Sequence, residues 1–104
     1  MKFDVTTEDA FDIDNNPAVL IKISNIFIEI NIYILRSEIK KFLNFIQKNE
    51  QRIQSGISAQ SVVYWIREEK NVYILIGDDD QTWDISLTAD ENLLNEIYNE
   101  IIKL

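Results

Sequence analysis

A cluster of acidic side chains around one tryptophan is the strongest functional signal in this sequence. In the segment Gly77-Asp78-Asp79-Asp80-Gln81-Thr82-Trp83-Asp84, four carboxylates and an indole ring fall within eight residues. The chain contains no histidine and no cysteine, and histidine is the usual general base of enzymes. Carboxylates without these two residue types favour a surface that binds a basic partner over a site that catalyses a reaction, so we expect no catalytic residues.

Three consecutive aspartates also suggest a metal site. A calcium loop alternates its oxygen ligands over about twelve residues and ends in a bidentate glutamate. Asp78, Asp79 and Asp80 are adjacent instead, and no loop of that length contains them. Gly56 and Gly77 are isolated and cannot build a phosphate-binding glycine loop. We therefore expect no metal ligands and no cofactor, and the alternative to a binding surface is a solvated hairpin tip.

Aromatic side chains accompany the acids on two neighbouring segments. Trp83 lies beside the aspartates, and Tyr64 precedes Glu68 and Glu69. Tryptophan is enriched at interface hot spots, although at an inward strand position it usually belongs to the core. The same two alternatives apply to Trp65. The predicted partner-binding residues are Asp78, Asp79, Asp80, Trp83, Asp84, Tyr64, Glu68 and Glu69.

The charge distribution also favours a basic protein partner. The 104 residues carry a net charge of −8, which divides into −4 over residues 1–16, +3 over residues 17–60 and −7 over residues 61–104. A field of that sign repels nucleic acid and anionic lipid. The alternative is that the acidity serves only solubility.

Length and composition predict one domain over residues 1–104, in which residues 1–16 form an acidic arm or an extra strand. No run approaches the roughly 20 apolar residues that a membrane helix needs. The first residues contain no apolar segment of the signal-peptide kind, and cysteine is absent. These features predict a cytoplasmic protein.

An alternation with a period of two predicts the central strand and its buried face. Residues 26–35 place five isoleucines on one side, which we expect to lie in the core. These are Ile26, Ile28, Ile30, Ile32 and Ile34. Trp83, Ile85 and Leu87 alternate in the same way, so they too are predicted to face inward.

Apolar residues at helical spacing predict two helices. Ser37 is expected to cap the first helix, which runs to about Gln51 before Gly56 ends the helical segment. The sequence from Thr88 to Glu91 has the form of a capping box and is expected to open the second helix. The predicted buried positions are Ile39, Phe42, Leu43, Ile46, Leu94, Ile97 and Ile101.

The remaining segments are short and rich in residues that favour strands. They cover residues 18–23, 61–67, 72–76 and 82–87, with polar turns between them. Runs of strands separated by single helices predict an α+β fold. The expected architecture is a mostly antiparallel sheet in the order β-β-α-β-β-β-α, with two helices packed on one face.

Over residues 26–104 the chain resembles the WapI-type immunity proteins of bacterial polymorphic toxin systems. The residues that carry the resemblance are Phe27-Ile28-Glu29-Ile30, Leu35-Arg36-Ser37-Glu38-Ile39-Lys40-Lys41-Phe42-Leu43, Ser55-Gly56, and Leu87-Thr88-Ala89-Asp90 before Leu93-Leu94. The resemblance implies a cytosolic antitoxin that blocks a toxin or nuclease domain by direct binding. It implies no catalytic residues.

Three functions therefore compete. The first is a non-catalytic immunity protein that binds a basic toxin domain through its acidic surface. The second is a phage-type anti-defence inhibitor that mimics nucleic acid. The third is a structural or oligomerisation domain whose acidity keeps it in solution.

Overall fold

The computed structural model describes residues 2–104 as seven strands and two helices. The strands are β1 (Asp4–Phe11), β2 (Pro17–Ser24), β3 (Glu29–Leu35), β4 (Arg52–Ser58), β5 (Ser61–Glu68), β6 (Asn71–Gly77) and β7 (Trp83–Ala89). The helices are α1 (Ile39–Gln47), which follows a 3-10 turn at Arg36–Glu38, and α2 (Glu91–Ile102). Neither helix of this described range has the length and apolar character needed to cross a membrane.

All seven strands form one curled antiparallel sheet, a half-barrel in which each strand pairs with the next along the chain. The chain is thus an α+β protein. The predicted order β-β-α-β-β-β-α is wrong, because the observed order is β-β-β-α-β-β-β-β-α. The predicted order lacked β1, whose residues were expected to form either an arm or a strand. It also lacked β4, whose residues were assigned to the end of a helix and a turn.

Asn49 explains why the first helix is shorter than predicted. The helix ends at Gln47 rather than Gln51. Asn49 takes the left-handed conformation, with φ of 53°, and the N–H of Glu50 donates to the carbonyl of Phe45 at 3.2 Å. This arrangement is a Schellman cap with asparagine in the place usually held by glycine. At the other end, no side-chain hydrogen bond from Ser37 caps the 3-10 turn or α1, so that prediction is also wrong.

Gly56 lies inside β4 and does not end a helix. It has φ of +97°, and a β-carbon at this position would lie 2.7 Å from Cγ2 of Ile32. The pairing of β4 with β5 shifts register between Gln54 and Ile57, as at a β-bulge. Glycine therefore lets the β4 backbone pass close over β3, and the resulting bulge helps the sheet to curl.

Asp90, rather than Thr88, caps the start of the second helix. Thr88 belongs to β7, whereas the Oδ1 atom of Asp90 accepts a hydrogen bond from the N–H of Asn92 at 3.0 Å. Glu91 follows in the first turn, where its charge complements the helix dipole. The capping-box prediction is wrong by two residues, because the strand continues to Ala89.

One core lies between the inner face of the sheet and the two helices; the opposite face of the sheet is here called the outer face. Trp65 is fully buried in this core, and its ring centroid lies 4.8 Å from that of Phe42. The indole Nε1 of Trp65 donates to the carbonyl of Ser55 at 2.8 Å. The helices contribute Ile39, Phe42, Phe45, Ile46, Leu93, Leu94, Ile97 and Ile101 as buried residues.

The row of isoleucines is only partly buried. Ile30, Ile32 and Ile34 lie in the core, but Ile26 is 91% exposed and Ile28 is also exposed. The reason is local. The Oδ1 atom of Asn25 accepts hydrogen bonds from the N–H groups of Phe27, at 2.7 Å, and of Ile28, at 3.0 Å. The turn therefore extends to Ile28, and β3 begins only at Glu29.

Arg67 joins three elements of the fold. Its Nη1 and Nη2 atoms donate to the carbonyls of Phe45 at 2.9 Å and Ile46 at 3.0 Å, within the last turn of α1. A further hydrogen bond reaches the carbonyl of Glu50. The guanidinium also binds Glu91 at the start of α2 through both carboxylate oxygens. Its carbon Cζ lies 4.6 Å from the centroid of the Phe45 ring, a cation–π contact.

Substituting aspartate at two positions of the isoleucine row tests where the core ends. Ile30→Asp is expected to lower the free energy of unfolding by about 3 kcal/mol or more, because it buries an unpaired charge. Ile26→Asp makes the same chemical change at a solvent-exposed turn and is expected to alter stability by about 0.5 kcal/mol or less. Urea denaturation of both variants measures the difference. Equal losses would show that the turn packs against the core.

Replacing Arg67 tests whether its contacts with Glu91 and the α1 carbonyls stabilise the fold more than the surface ion pair of Arg52 with Asp80 does. Arg67→Met should cost about 2–3 kcal/mol, because it leaves helix carbonyls without their donor. Arg67→Lys should not restore this stability, since an ammonium group cannot reproduce the planar fork. The control is Arg52→Met, which removes a half-exposed partner of Asp80 and should cost about 1 kcal/mol or less. Thermal and urea unfolding check both values, and a small loss for Arg67→Met would contradict this role.

Candidate partner-binding surface

The acidic segment forms the connection between β6 and β7, as predicted. Residues 78–82 make a compact loop in which the N–H groups of Asp78 and Asp79 both donate to the carbonyl of Thr82, at 3.0 and 3.4 Å. The Oδ1 atom of Asp79 accepts hydrogen bonds from the N–H groups of Gln81 at 2.8 Å and Thr82 at 2.7 Å. Asp79 therefore stabilises the loop itself and has less capacity to bind a partner.

Asp80 contacts a basic side chain of the same molecule. Its carboxylate forms an ion pair with the guanidinium of Arg52 at the start of β4. The side chain of Arg52 is half-exposed and that of Asp80 is partly buried. The pair links the loop to a strand that is separated from β6 by β5. An arginine can thus reach this loop and bind it, here from within the chain.

Asp78 and Asp84 are the two acids of the segment that remain available to a partner. Both side chains are exposed. Among residues 2–104, none of the ion pairs and side-chain hydrogen bonds involves either carboxylate. Along the chain, Asp78 begins the loop, and Asp84 follows Trp83 at the start of β7. Their charges are therefore free to interact with a basic surface.

Trp83 is 46% exposed, so the prediction that it faces inward is wrong. Ile76 pairs with Ile85 and Gly77 pairs with Trp83, which leaves Asp84 unpaired as a bulge. The bulge breaks the period of two along β7. Trp83 therefore lies opposite Gly77 on the outer face of the sheet. Ile85 keeps its inner-face register but is 39% exposed on this edge strand, whereas Leu87 is buried.

Gly77 permits the close approach that positions the tryptophan. A β-carbon at this residue would lie 2.4 Å from the Cα atom of Trp83 and 2.6 Å from the carbonyl oxygen of Thr82. Its φ is not in the left-handed region. Glycine is required at this position for space rather than for backbone conformation.

The predicted site residues on β5 divide into two groups. Tyr64 is half-buried on the outer face and pairs with Leu75, two residues and about 7 Å along β6 from Gly77. Glu68 and Glu69 lie in the hairpin at the other end of β6, roughly 20 Å from the acidic loop. The structure therefore brings Tyr64 close to Trp83 and the aspartates but places the two glutamates elsewhere.

An apolar row on the outer face was missed by sequence reasoning. Cross-strand pairing places Tyr33, Ile57, Val62 and Gly77 in register with Trp83 at the end of the row. Ile57 is exposed, and Tyr33 and Val62 are half-buried. The only sequence signal for this row was Tyr33, which lies on the face of β3 opposite the isoleucines. The isoleucine face was the stronger pattern, so only that face was assigned a role in packing.

The turn between β2 and β3 presents a second exposed apolar group. Phe27 is 80% exposed beside Ile26, and the hydrogen bonds to Asn25 hold this turn in place. Ile26 was predicted to lie in the core and Phe27 on the opposite face of the same strand, so the turn that exposes both side chains was not predicted.

An open cleft of about 790 Å³ lies away from the acidic loop. It is bounded by the two residues before β1, by the end of β7 and by one side of α2, including Asn92, Asn95 and Asn99. Asn71 also lines the cleft and pairs with Glu68, so the cleft lies at the β5–β6 hairpin end of the sheet. Within the described residues 2–104, no three acidic side chains converge as metal ligands would.

Alanine substitution of the two tryptophans is expected to separate surface from core. Trp83→Ala should change the free energy of unfolding by about 1 kcal/mol or less, because the ring lies at the surface. It should also remove the acrylamide-quenchable fluorescence, because the remaining indole, Trp65, is buried. Trp65→Ala should cost about 3–5 kcal/mol, since it leaves a large cavity. Urea unfolding and quenching measurements check both. If the Trp83→Ala variant unfolds, the ring of Trp83 belongs to the core rather than to the surface.

Comparison with known proteins gives no relative of this chain. No family model, no curated protein and no solved structure matches it. The resemblance to WapI-type immunity proteins stays a prediction, and the function is inferred below from the residues of the surface itself.

Proposed function

We propose that this chain is a non-catalytic immunity protein that binds and neutralises a basic toxin or nuclease domain. The observation that carries the proposal is the half-exposed indole of Trp83, which stands between Asp78 and Asp84, two exposed acids without partners. If the loop were only a solvated hairpin tip, solubility would explain the exposed acids but not the exposed tryptophan beside them.

The two residue types at this surface have separate roles. An aromatic anchor buried by a partner contributes most of the binding energy of an interface, because tryptophan combines a large apolar area with a polar N–H. Surrounding acids accelerate the encounter with a basic surface and exclude acidic or neutral competitors. The −7 charge of residues 61–104 gives the steering field the sign that a basic toxin requires.

The outer-face row supplies area beyond the single anchor. A specific interface of standard size buries about 800 Å² on each partner, more than one indole provides. Tyr64, Ile57 and Val62 extend the apolar surface from Trp83 across the neighbouring strands. We therefore place the partner over the β6–β7 loop and the adjacent outer face.

The absence of catalysis is part of the same proposal. The sequence has no histidine or cysteine to serve as a base or nucleophile. The ionisable side chains of the open cleft are Lys2, Asp90 and Glu96, and Asp90 caps α2. Neutralisation by occlusion needs none of these groups.

Charge reversal at the two available acids tests the proposal. The partner is sought by co-purification with the product of the neighbouring gene, and neutralisation is measured as rescue of growth when that product is expressed. Asp78→Lys with Asp84→Lys should slow association by about tenfold at low salt and flatten its salt dependence. Stopped-flow measurement of the on-rate at several salt concentrations checks this.

The matched control makes the same change of charge elsewhere. Asp4→Lys with Asp14→Lys alters two exposed acids, one at the start of β1 and one in the turn between β1 and β2, and it should change the on-rate by less than about threefold. Equal effects of the two pairs would show that only net charge matters. An unchanged on-rate for both would place the interface outside this surface. A neighbouring product that is neither bound nor neutralised would contradict the immunity function.

A further inference from the structure

β7 is a free edge of the sheet. It pairs with β6 on one side and is the last strand in the sheet order. Among the backbone hydrogen bonds of residues 2–104, none joins β7 to another element on its second side. Trp83 to Ser86 are all exposed, so side chains of the rest of the chain cover little of this half of the strand. Its unpaired N–H and carbonyl groups form a template for one more strand.

The other free edge, β1, differs from β7 in two ways. The Oγ1 atom of Thr7 donates to the carbonyl of Glu100 at 3.1 Å, so β1 lies against α2. β1 also carries the charged residues Asp4, Glu8 and Asp9 along its length. The segment from Ile85 to Ala89 has no charged residue and no proline. Charges and proline are the usual means by which an edge strand avoids pairing.

Charge and side-chain alternation define the segment that β7 can pair with. Ile85 and Leu87 lie in inner-face register, so side chains added next to them must be apolar. Ser86 lies on the outer face near the bulge at Asp84, where basic side chains would meet the acids of the loop. A second copy of this chain fits poorly, because each copy carries −8. The suitable occupant alternates apolar and basic residues.

We propose that β7 binds an extended segment of a basic partner protein as an eighth strand of the sheet. This inference rests on the proposed function and specifies how the partner is held. Main-chain hydrogen bonds to β7 supply affinity, and alternate side chains supply specificity. The same segment passes beside Trp83, because that residue begins the strand.

The test uses a synthetic peptide of about ten residues, a typical strand length, in which valine and lysine alternate. Binding is followed through the fluorescence of the exposed Trp83. Two analogues carry N-methyl groups at alternate residues, one set along each edge of the peptide. Methylation along the edge that faces β7 should weaken binding by about tenfold or more, because it removes donors and blocks the approach. Methylation along the other edge should change affinity by less than about threefold.

Protein variants locate the binding to β7. Ser86→Lys places a cation on the free edge and should weaken binding of the unmodified peptide by about tenfold. Thr6→Lys makes a like change at an exposed position of β1 and should have little effect. No binding of the unmodified peptide, equal effects of the two methylated analogues, or equal effects of the two lysines would each overturn strand addition.

The outcomes distinguish this inference from the proposed function. Suppose that the two methylated analogues bind with equal affinity while Asp78→Lys with Asp84→Lys still slows association with the toxin. The proposed binding role of the acids is then supported, and the addition of a strand to β7 is contradicted. If methylation along one edge blocks binding while charge reversal leaves association with the toxin unchanged, strand addition stands and steering by the acids fails. An analogue with glutamate in place of lysine should not bind, since its charge matches that of the loop.

Discussion

The guanidinium of Arg67 is the contact on which the arrangement of the helices depends. It leaves β5 on the inner face, where an unpaired charge would be costly, and its side chain is only 11% exposed. Each of its donors is used: carbonyls at the end of α1 and just after it on one side, and the carboxylate of Glu91 on the other. The end of one helix and the start of the next are thereby fixed against the same strand. The Schellman cap at Asn49 turns the chain so that β4 can begin directly beside this contact.

With both helices fixed on the inner face, the outer face and the free edge are left to make contacts outside the chain. The buried residues of α1 and α2 all belong to the inner core. The outer face nevertheless carries apolar side chains in register, including Tyr33, Ile57 and Trp83. The curl of the sheet explains this division, because it encloses one face around the core and presents the other as a convex surface.

The sequence predicted those parts of the fold in which local pattern and tertiary environment agree. The antiparallel sheet and the acidic loop between β6 and β7 follow from alternation and turn residues. For Trp65 the sequence left core and interface as alternatives, and the structure places the ring in the core. β4 was missed because Ile53 and Ile57 are four residues apart, a spacing that also fits a helix, and because the bulge at Gly56 places the two side chains on opposite faces of the sheet. The isoleucine pattern continues into a turn, and nothing in its period marks where β3 begins.

The candidate surface was predicted in part for similar reasons. Composition identified the acids and the tryptophan. A single unpaired residue, Asp84, then shifts the alternation and moves Trp83 from the predicted inner face to the surface. Bulges depend on pairing with another strand, so no window of sequence around Trp83 contains that information. The separation of Glu68 and Glu69 from the loop likewise follows from hairpin topology rather than from their distance in sequence.

The shape and the charge of the β6–β7 loop are encoded by different residues. Gly77 and the side chain of Asp79 shape the path of its backbone, while the carboxylates of Asp78 and Asp84 make none of the hydrogen bonds that hold it. The exposed acids can therefore be exchanged for neutral, basic or aromatic residues without refolding the hairpin. Such a loop is a ready scaffold for changing binding preference by single substitutions, and a small set of loop variants on this framework could be screened against unrelated targets.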